Sequence, residues 1–225
     1  MLKVFHAPGS RSLRVLWMLE ELALPYRLRM LPFPPRVWQR EFLADNPLGT
    51  VPLLEDGAVR MTESAAICQY LASCVPGTPL AVMPDEPDYA LWLNWLHQGE
   101  ATLTFPQTLV LRYGRFEPAE RRQPQVVEDY SRWFLARLKA VDAALATGEP
   151  WLCGGRFTAA DVSVGYALMV AGHLGLLERM SPAIQAYWQR LQERPAFIRA
   201  LAAQHQAALD QGVPTTPAPE TGPPI

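Results

Sequence analysis

The chain has 225 residues, of which 49% are hydrophobic and 19% charged, and its formal net charge is -2. This length suits one large or two small domains. A composition without a basic excess disfavours binding to a phosphate backbone. No segment offers the ~20 uninterrupted apolar residues that cross a bilayer, and the first residues lack the apolar core of a signal peptide. We therefore expect a cytoplasmic protein that binds neither nucleic acid nor a membrane.

The cysteines and histidines do not suggest a metal site. Cys68, Cys74 and Cys153 form no C-x-x-C pair, and the four histidines lack the i, i+4 spacing of a helical metal pair. A free cysteine is most often a small buried hydrophobic side chain. The sequence therefore predicts reduced thiols, buried at Cys68 and Cys74, and no bound metal.

The first 75 residues alternate between strand and helix patterns. Residues 2–6 indicate a strand, residues 12–24 carry apolar side chains at helical spacing, and residues 25–31 alternate with a period of two. A helical crossover of this kind makes the two strands parallel. After a proline-containing loop with a short helical stretch, Asp56-Gly57 separates two short strands and predicts a hairpin. A helix that begins near Thr62–Ser64 completes the unit.

The rest of the chain is punctuated by prolines and is otherwise helical in pattern. The dense prolines between Val75 and Pro87 indicate a linker at residues 76–88, and helical periodicity then dominates residues 89–210. Thr158 and Asp161 form a capping-box pattern in front of an apolar helix. Residues 211–225 contain five prolines without apolar periodicity, which predicts a disordered tail.

Ser10, Arg11 and Ser12 occupy the turn between the first strand and the first helix. Backbone N–H groups and the helix dipole favour an anion at such a place. A thiol held there loses its proton more readily, and a serine O–H group that donates to the thiolate stabilises it further. The alternative is ordinary capping of the helix by Ser10 or Ser12.

Two further segments offer groups to a ligand. Pro52 stands in front of an apolar strand, and a cis Val51-Pro52 bond would turn the Val51 backbone outward, where it could pair with a peptide-like ligand. The alternative is a simple turn before an edge strand. Glu63 and Ser64 at a helix start match an α-amino acid end, because Ser64 could hold a carboxylate and Glu63 an ammonium group. Here the alternative is again a helix cap.

Taken together, these motifs and the order of elements resemble the cytosolic glutathione transferase family over residues 1 to about 205. Three motifs carry the resemblance. Residues 46–52 match the loop before the family's cis-proline, Glu63-Ser64 matches its γ-glutamyl-binding pair, and residues 158–161 match the capping box of its buried helix. The resemblance implies an N-terminal thioredoxin-like domain of β-α-β-α-β-β-α order at residues 1–75 and a C-terminal helical bundle domain.

The resemblance also implies roles for individual residues. Glutathione, the co-substrate, would pair with the backbone of Val51 beside Thr50 and Pro52, and its γ-glutamyl end would bind Glu63 and Ser64. Serine-type members place the thiolate-stabilising hydroxyl in the first turn, which favours Ser10. Ser12 is the second choice, and Arg11, which matches the cysteine of bacterial members, is a charged substitute. Three residues are alternatives for the glycine carboxylate, with Gln39 preferred: Gln39, Arg36 and Arg40.

The second domain would supply the pocket for a hydrophobic electrophile, and four residues are predicted to line it: Phe105, Leu109, Arg112 and Tyr113. Helix packing is an equal alternative for Phe105 and Leu109. We expect a homodimeric enzyme of detoxification that adds the glutathione thiolate to an electrophilic carbon. A glutathione-dependent isomerase or peroxidase, and a non-catalytic binding protein of the same fold, are the alternatives.

Overall fold

The computed structural model of the protein describes residues 1–221, which form two compact units. The first unit contains Met1–Val75 and also Arg194–Thr221. The second unit begins at Pro76 and continues through Glu193. The first unit is a thioredoxin-like domain, and the second is helical.

A four-stranded mixed sheet in the order β2-β1-β3-β4 forms the centre of the first unit. The parallel pair β1–β2 comes from the predicted helical crossover, and β3 runs antiparallel to both β1 and β4. Gly57, with φ +59°, closes the β3–β4 hairpin at the predicted Asp56-Gly57 turn. The strand bounds are β1 Leu2–His6, β2 Tyr26–Met30, β3 Leu53–Asp56 and β4 Val59–Met61.

In the first unit, α1 packs on β1, α10 packs on β2, and α3 packs on α1. Leu13, Leu16 and Leu19 are buried on the first helix, and Ile67 and Leu71 on the third. The bounds are α1 Ser12–Glu21, α2 Pro35–Trp38, α3 Ser64–Cys74 and, from the C-terminal part of the chain, α10 Pro195–Asp210. Up to α3 the order is β-α-β-α-β-β-α, as the sequence predicts.

The last long helix, α10, belongs to the first unit because charged and aromatic contacts dock it on α1. Arg194 donates two hydrogen bonds to the carboxylate of Glu21, at 2.6 and 2.8 Å. The rings of Trp17 and Phe197 pack with centroids 4.6 Å apart. The sequence prediction of a helical domain over residues 89–210 therefore differs from the structure, which returns to the first unit at Arg194.

The predicted disordered tail also needs correction. Gln211 caps the edge of β2 by accepting from the Met30 N–H group at 2.9 Å and donating to the Leu28 carbonyl at 3.0 Å. Ala218–Glu220 form a 3-10 turn in which Ala218 and Pro219 are buried. The composition of the segment did not predict this ordered structure, because contacts with the distant N-terminus, not local periodicity, stabilise the segment. The last four tail positions, 222–225, lie outside the described residues.

Helices make up most of the second unit. Their bounds are α4 Tyr89–Gln98, α5 Phe105–Leu111, α6 Pro124–Arg137, α7 Lys139–Leu145, α8 Ala159–His173 and α9 Pro182–Gln192. The π-helical turns Gly99–Thr104 and Arg112–Phe116 flank α5. The predicted linker packs within this unit, since Leu80 accepts from the Ala159 N–H group and Arg156 donates to the carbonyl groups of Pro79 and Ala81.

The buried helix α8 begins with the predicted capping box. Thr158 Oγ1 accepts from the Ala160 N–H group at 3.2 Å, and Asp161 accepts from the Thr158 N–H group at 2.8 Å. Asp161 also accepts from Tyr187 Oη at 2.8 Å and from the Leu152 N–H group at 3.1 Å. Burial raises the pKa of Asp161 to about 6, while these donors act in the opposite direction.

Candidate active site

The turn after β1 carries the residues that the sequence singles out for thiol chemistry. Gly9 adopts φ +65°, and the Ser10 N–H group donates to the Ala7 carbonyl at 3.1 Å to close the turn. A Cβ atom at Gly9 would lie 2.8 Å from Pro217 Cβ, so the C-terminal segment packs directly against this backbone. Glycine is required here both for its positive φ and for that close approach.

Ser10 and Ser12 belong to a buried chain of polar side chains. Ser10 Oγ lies 2.7 Å from Ser12 Oγ, and Ser12 Oγ lies 2.7 Å from His6 Nδ1. His6 Nε2 lies 2.9 Å from Gln204 Oε1, which also accepts from the Gly9 N–H group at 3.2 Å. These hydrogen-bonded side chains thus link β1, the turn, α1 and α10.

His6, at the centre of this chain, is held in its neutral form. It is fully buried at the end of β1, and burial lowers its pKa to about 4. Hydrogen bonding to the Gln204 side chain and to the Ser12 backbone raises the pKa, but less than burial lowers it. A neutral imidazole has one donor and one acceptor nitrogen, so it can pass hydrogen-bond direction along the chain.

The two serines differ in their relation to the start of α1. Arg11 is the N-cap residue of α1, and no side chain makes a capping hydrogen bond there. Ser12 Oγ instead accepts from the Ala7 N–H group at 3.3 Å, and Ser10 Oγ accepts from the Ser12 N–H group at 3.4 Å. Ser10 thus accepts from the first N–H group of α1, which agrees with the capping alternative, whereas the Ser12 hydroxyl accepts from outside the helix. Arg11 itself is partly exposed between two buried serines.

The loop before Pro52 is held by its own asparagine. Asn46 is buried, donates from Nδ2 to the Thr50 carbonyl at 2.7 Å and accepts from the Leu48 N–H group at 3.2 Å. The Val51–Pro52 peptide bond is cis, which is the isomer the sequence predicts. A second cis bond, Phe33–Pro34, was not foreseen.

Val51 lies beside the turn that carries Ser10. Its side chain is buried in one apolar cluster with Ala7 and Leu53. The β1–β3 ladder begins with Phe5 opposite Leu53, so Val51 precedes the paired part of β3. Thr50 is exposed and accepts from Asn46 through its carbonyl group. The cis-proline segment and the serine turn thus meet at the same end of the sheet.

Glu63 and Ser64 stand at the start of α3, as predicted. Glu63 is exposed and is the N-cap residue, although its side chain does not cap the helix. Ser64 is buried and accepts a hydrogen bond from Arg14 Nη1 at 3.2 Å. Because Arg14 is a fully buried residue of α1, this contact joins α3 to the helix that follows the serine turn.

The three alternatives for the glycine carboxylate lie near the short helix α2. Gln39 is partly buried and connects α2 with the 3-10 turn Arg40–Ala44, whereas Arg36 and Arg40 are exposed. A Cβ atom at Gly49 would lie 2.6 Å from Arg36 Cβ, which brings α2 against the loop before the cis-proline. The choice among the three residues stays a prediction.

The predicted electrophile pocket belongs to the second unit. Phe105 and Leu109 lie one turn apart on α5, and Phe105 is 50% exposed, which does not fit the helix-packing alternative for this ring. Arg112 donates to Glu117 Oε1 at 3.0 Å, and its guanidinium lies 5.8 Å from the centre of the Tyr113 ring. These four residues form one stretch along α5 and the π-helical turn after it.

The cysteines do not supply a nucleophile at this site. Burial raises the pKa of both Cys68 and Cys153 to about 12, so they stay protonated at neutral pH. Cys74 is exposed, which corrects the expectation of burial, but it is the last residue of α3, whereas Ser64 is the first. Within residues 1–221, no cluster of side chains suited to a metal ion is found. No helix in that described part of the chain is long and apolar enough to span a membrane.

Sequence reasoning missed three residues that organise the site: His6, Arg14 and Gln204. A polar residue directly after Val4-Phe5 in a buried strand is a weak signal for His6. Arg14 has the appearance of an ordinary charged residue of an amphipathic helix, yet it is fully buried. Gln204 gives no local signal, because its partner His6 lies 198 positions away in the chain.

Comparison with known proteins agrees with the fold of the two units. The family model for the glutathione S-transferase N-terminal domain matches residues 9–74, and the C-terminal domain model matches residues 107–195. Glutathione S-transferase GstA of Escherichia coli O157:H7 is 33% identical over 214 residues, which cover 90% of this chain and 98% of the relative. Glutathione S-transferase 3 of Zea mays is 29% identical and covers 90% of this chain and 94% of its own length.

Solved structures give the same result. A glutathione transferase from Methylococcus capsulatus superposes with a TM-score of 0.79 at 26% identity, covering 91% of this chain and 98% of that one. BphK, a bacterial GST solved as a ternary complex, also superposes with a TM-score of 0.79 at 26% identity, and covers 90% of this chain and 98% of its own. With both domain models matched and a relative at 33% identity over nearly the whole length, this chain belongs to the glutathione S-transferase family of enzymes.

Proposed function

We propose that the protein binds glutathione on the first unit and activates its thiol for attack on a small hydrophobic electrophile. One observation carries this proposal. The serine turn, the Val51 segment and the start of α3 are joined within a single unit, by the apolar cluster of Ala7 with Val51 and by the hydrogen bond from Arg14 to Ser64. An anion-binding turn, the backbone segment in front of β3 and a helix start suited to an α-amino acid end thereby serve one extended ligand.

The γ-glutamyl end of glutathione would bind at the start of α3. Because Ser64 Oγ accepts from Arg14, the Ser64 hydroxyl hydrogen is available to donate to a ligand carboxylate. The buried guanidinium of Arg14 and the N-terminus of an 11-residue helix both favour a negative charge there. The exposed carboxylate of Glu63 would take the α-ammonium group.

The cysteinyl part would lie along Val51, whose backbone precedes the β1–β3 ladder. This pairing brings the ligand sulfur toward the Ser10 turn. The thiol loses its proton to solvent, and the N-terminus of α1 with a serine hydroxyl stabilises the thiolate. The thiolate then forms a C–S bond with the electrophilic carbon, and the leaving group departs with the bonding electron pair.

A cysteine-dependent reductase reaction has little support. Such a reaction needs a low-pKa thiol at the ligand, whereas the pKa values of Cys68 and Cys153 are raised to about 12. Cys74 is at the opposite end of α3 from Ser64. A hydroxyl mechanism is therefore favoured, with Ser10 as the residue nearest to solvent in the hydroxyl chain.

Titration of the bound thiol tests the proposal. Ultraviolet absorbance of the thiolate, followed against pH, should give a pKa for bound glutathione below that of the free thiol. Ser10→Ala should raise this pKa by about one unit, in the range for loss of a hydrogen bond to a charged group. Ser64→Ala should weaken glutathione binding by roughly tenfold without moving the thiol pKa.

The exposed Ser73, on the same helix as Ser64, gives a matched control. Ser73→Ala should leave both glutathione affinity and thiol pKa unchanged. An unshifted thiol pKa in the wild-type protein would contradict thiol activation and favour the non-catalytic binding protein.

The electrophile is identified by a substrate screen with aryl halides, epoxides, hydroperoxides and maleyl compounds. Conjugates would support the transferase reaction, glutathione disulfide from hydroperoxides would indicate a peroxidase, and rearranged maleyl products would indicate an isomerase. The homodimer that the family resemblance implies stays a prediction, which light scattering of the purified protein tests.

A further inference from the structure

A single backbone group fixes the direction of every hydrogen bond in the Ser10–Ser12–His6–Gln204 chain. The Gly9 N–H group can only donate, so the side-chain atom of Gln204 that faces it must be the amide oxygen. The same oxygen faces His6 Nε2 at 2.9 Å. Nε2 must therefore carry a hydrogen, because two acceptors at that distance would repel each other.

The neutral imidazole transmits this direction to the serines. With its hydrogen on Nε2, Nδ1 of His6 is an acceptor, and the Ser12 hydroxyl must donate to it at 2.7 Å. Ser12 has one hydroxyl hydrogen, so the 2.7 Å contact with Ser10 is a bond that Ser12 accepts. Ser10 consequently donates its hydroxyl hydrogen inward, to Ser12.

Burial supports the neutral state of the imidazole that this direction requires. His6 and Ser12 are fully buried, and Ser10 is 5% exposed. Burial lowers the pKa of His6 to about 4, so at neutral pH Nδ1 has no hydrogen to donate. The Ser12 hydroxyl therefore bonds only to buried groups. The Ser10 oxygen, which donates to Ser12 Oγ and accepts from the Ser12 N–H group, offers its remaining lone pair to the ligand side of the turn.

We propose that His6 and Gln204 are positioning residues that orient the two serine hydroxyls. In this orientation Ser10 accepts a hydrogen bond from the glutathione thiol, and Ser12 makes no contact with the sulfur. This inference rests on the proposed function. A thiol S–H group can donate to Ser10 as it stands. A thiolate is stabilised by Ser10 only when the Ser10 hydroxyl leaves Ser12 and turns outward, which costs a buried hydrogen bond. His6 and Gln204 thereby raise the pKa of the bound thiol.

The nitrogen tautomer of His6 is a direct readout that needs neither ligand nor variant. In protein with ¹⁵N-labelled histidine, the structure requires a pyrrole-type Nε2 and a pyridine-type Nδ1 at neutral pH. The opposite tautomer, or a positively charged ring, would overturn the proposal. Because this measurement uses the protein without glutathione, its failure is separate from a failure to bind or activate the thiol.

Two variants remove the constraint on the direction of these hydrogen bonds, each at a different side chain. Gln204→Met removes the acceptor that fixes the tautomer, and His6→Phe removes the acceptor of the Ser12 hydroxyl. In both, Ser12 can donate to Ser10, and the Ser10 hydroxyl is free to turn outward. Each should lower the pKa of bound glutathione by up to about one unit, since one neutral hydrogen bond is no longer broken on ionisation.

The exposed Gln206 on the same helix provides the matched control. Gln206→Met should leave the thiol pKa unchanged, while Ser10→Ala should raise it. If Gln204→Met raises the thiol pKa as Ser10→Ala does, the direction proposed for the chain is wrong. Should His6→Phe fail to fold, Gln204→Met and the tautomer measurement still decide the matter.

Discussion

The backbone N–H group of Ala218 donates to the carbonyl oxygen of Pro8 at 2.6 Å, so a segment near the C-terminus holds the turn that carries Ser10. Ala218 and Pro219 are buried in this contact. The geometry of the turn therefore depends on residues that follow the last long helix, α10.

Truncation of the chain tests this dependence. A chain that stops after Gly212 keeps the contacts of Gln211 with β2 but loses the bond from Ala218 to Pro8. We expect its free energy of unfolding to fall by about 1 to 2 kcal/mol, because one buried hydrogen bond and the side chains packed over it are lost. Glutathione affinity, measured by calorimetry, should fall several-fold. A chain that stops after Thr221 keeps the bond from Ala218 to Pro8 and is the control.

Gly9→Ala should destabilise the first unit. The new Cβ would lie 2.8 Å from Pro217 Cβ on a residue with φ +65°, so both overlap and backbone strain act against it. We expect a loss of about 2 to 4 kcal/mol in the free energy of unfolding, measured with denaturant. Gly57→Ala separates the two causes, because Gly57 has φ +59° but no atom within 4 Å of the added Cβ. It should cost only about 1 kcal/mol. Equal losses in the two variants would mean that the tail does not press on Gly9.

Glu21→Gln should weaken the docking of α10 on α1. The Glu21 carboxylate accepts both guanidinium bonds from Arg194 and a third from Trp17 Nε1 at 2.9 Å. Bidentate charge-assisted bonds to a buried carboxylate are strong, and their loss should cost about 1 to 3 kcal/mol of unfolding free energy. Glu128→Gln breaks the exposed ion pairs with Arg132 and Arg179 and should change stability little. If the two variants behave alike, the Arg194 contact does not hold the helix.

Acid should destabilise the protein through His6. Its pKa is lowered from 6.5 to about 4 by burial, so the unfolded chain binds the proton more readily than the folded one. This stabilisation is complete above pH 6.5 and is lost as the pH falls toward 4, by about 3 kcal/mol in total. Asp161, whose pKa is raised to about 6, acts in the opposite direction over part of this range. The informative quantity is therefore the wild-type free energy minus that of His6→Phe, measured by denaturation at several pH values. Parallel curves for the two proteins would contradict the prediction.

Local patterns predicted most of the fold correctly. The Asp56-Gly57 hairpin, the capping box at Thr158 and the crossover between β1 and β2 each depend on residues close together in the chain, and each forms as expected. The Val51–Pro52 segment and the start of α3 were found in the same way.

Long-range partners set the limit of what the sequence could predict. His6 bonds to Gln204 across 198 positions, and Ala218 bonds to Pro8 across almost the whole chain. The spacing of apolar residues along the sequence cannot predict contacts between residues so far apart in the chain. The prolines of this segment, Pro217 and Pro219, suggest disorder when only the sequence is considered. In the structure Pro217 packs against Gly9 and Pro219 is buried. The direction of the hydroxyl chain likewise depends on α10, so the turn sequence alone could not separate Ser10 from Ser12.

Because the first unit combines Met1–Val75 with Arg194–Thr221, its assembly has a consequence for synthesis on the ribosome. The strands emerge first, but α10 and the segment over Pro8 emerge only after the whole of Pro76–Glu193 has been made. Contacts between such distant parts of a chain form late, since the long intervening loop must close first. The serine turn of the nascent chain therefore stays without its covering segment until α10 and Ala218 have left the ribosome.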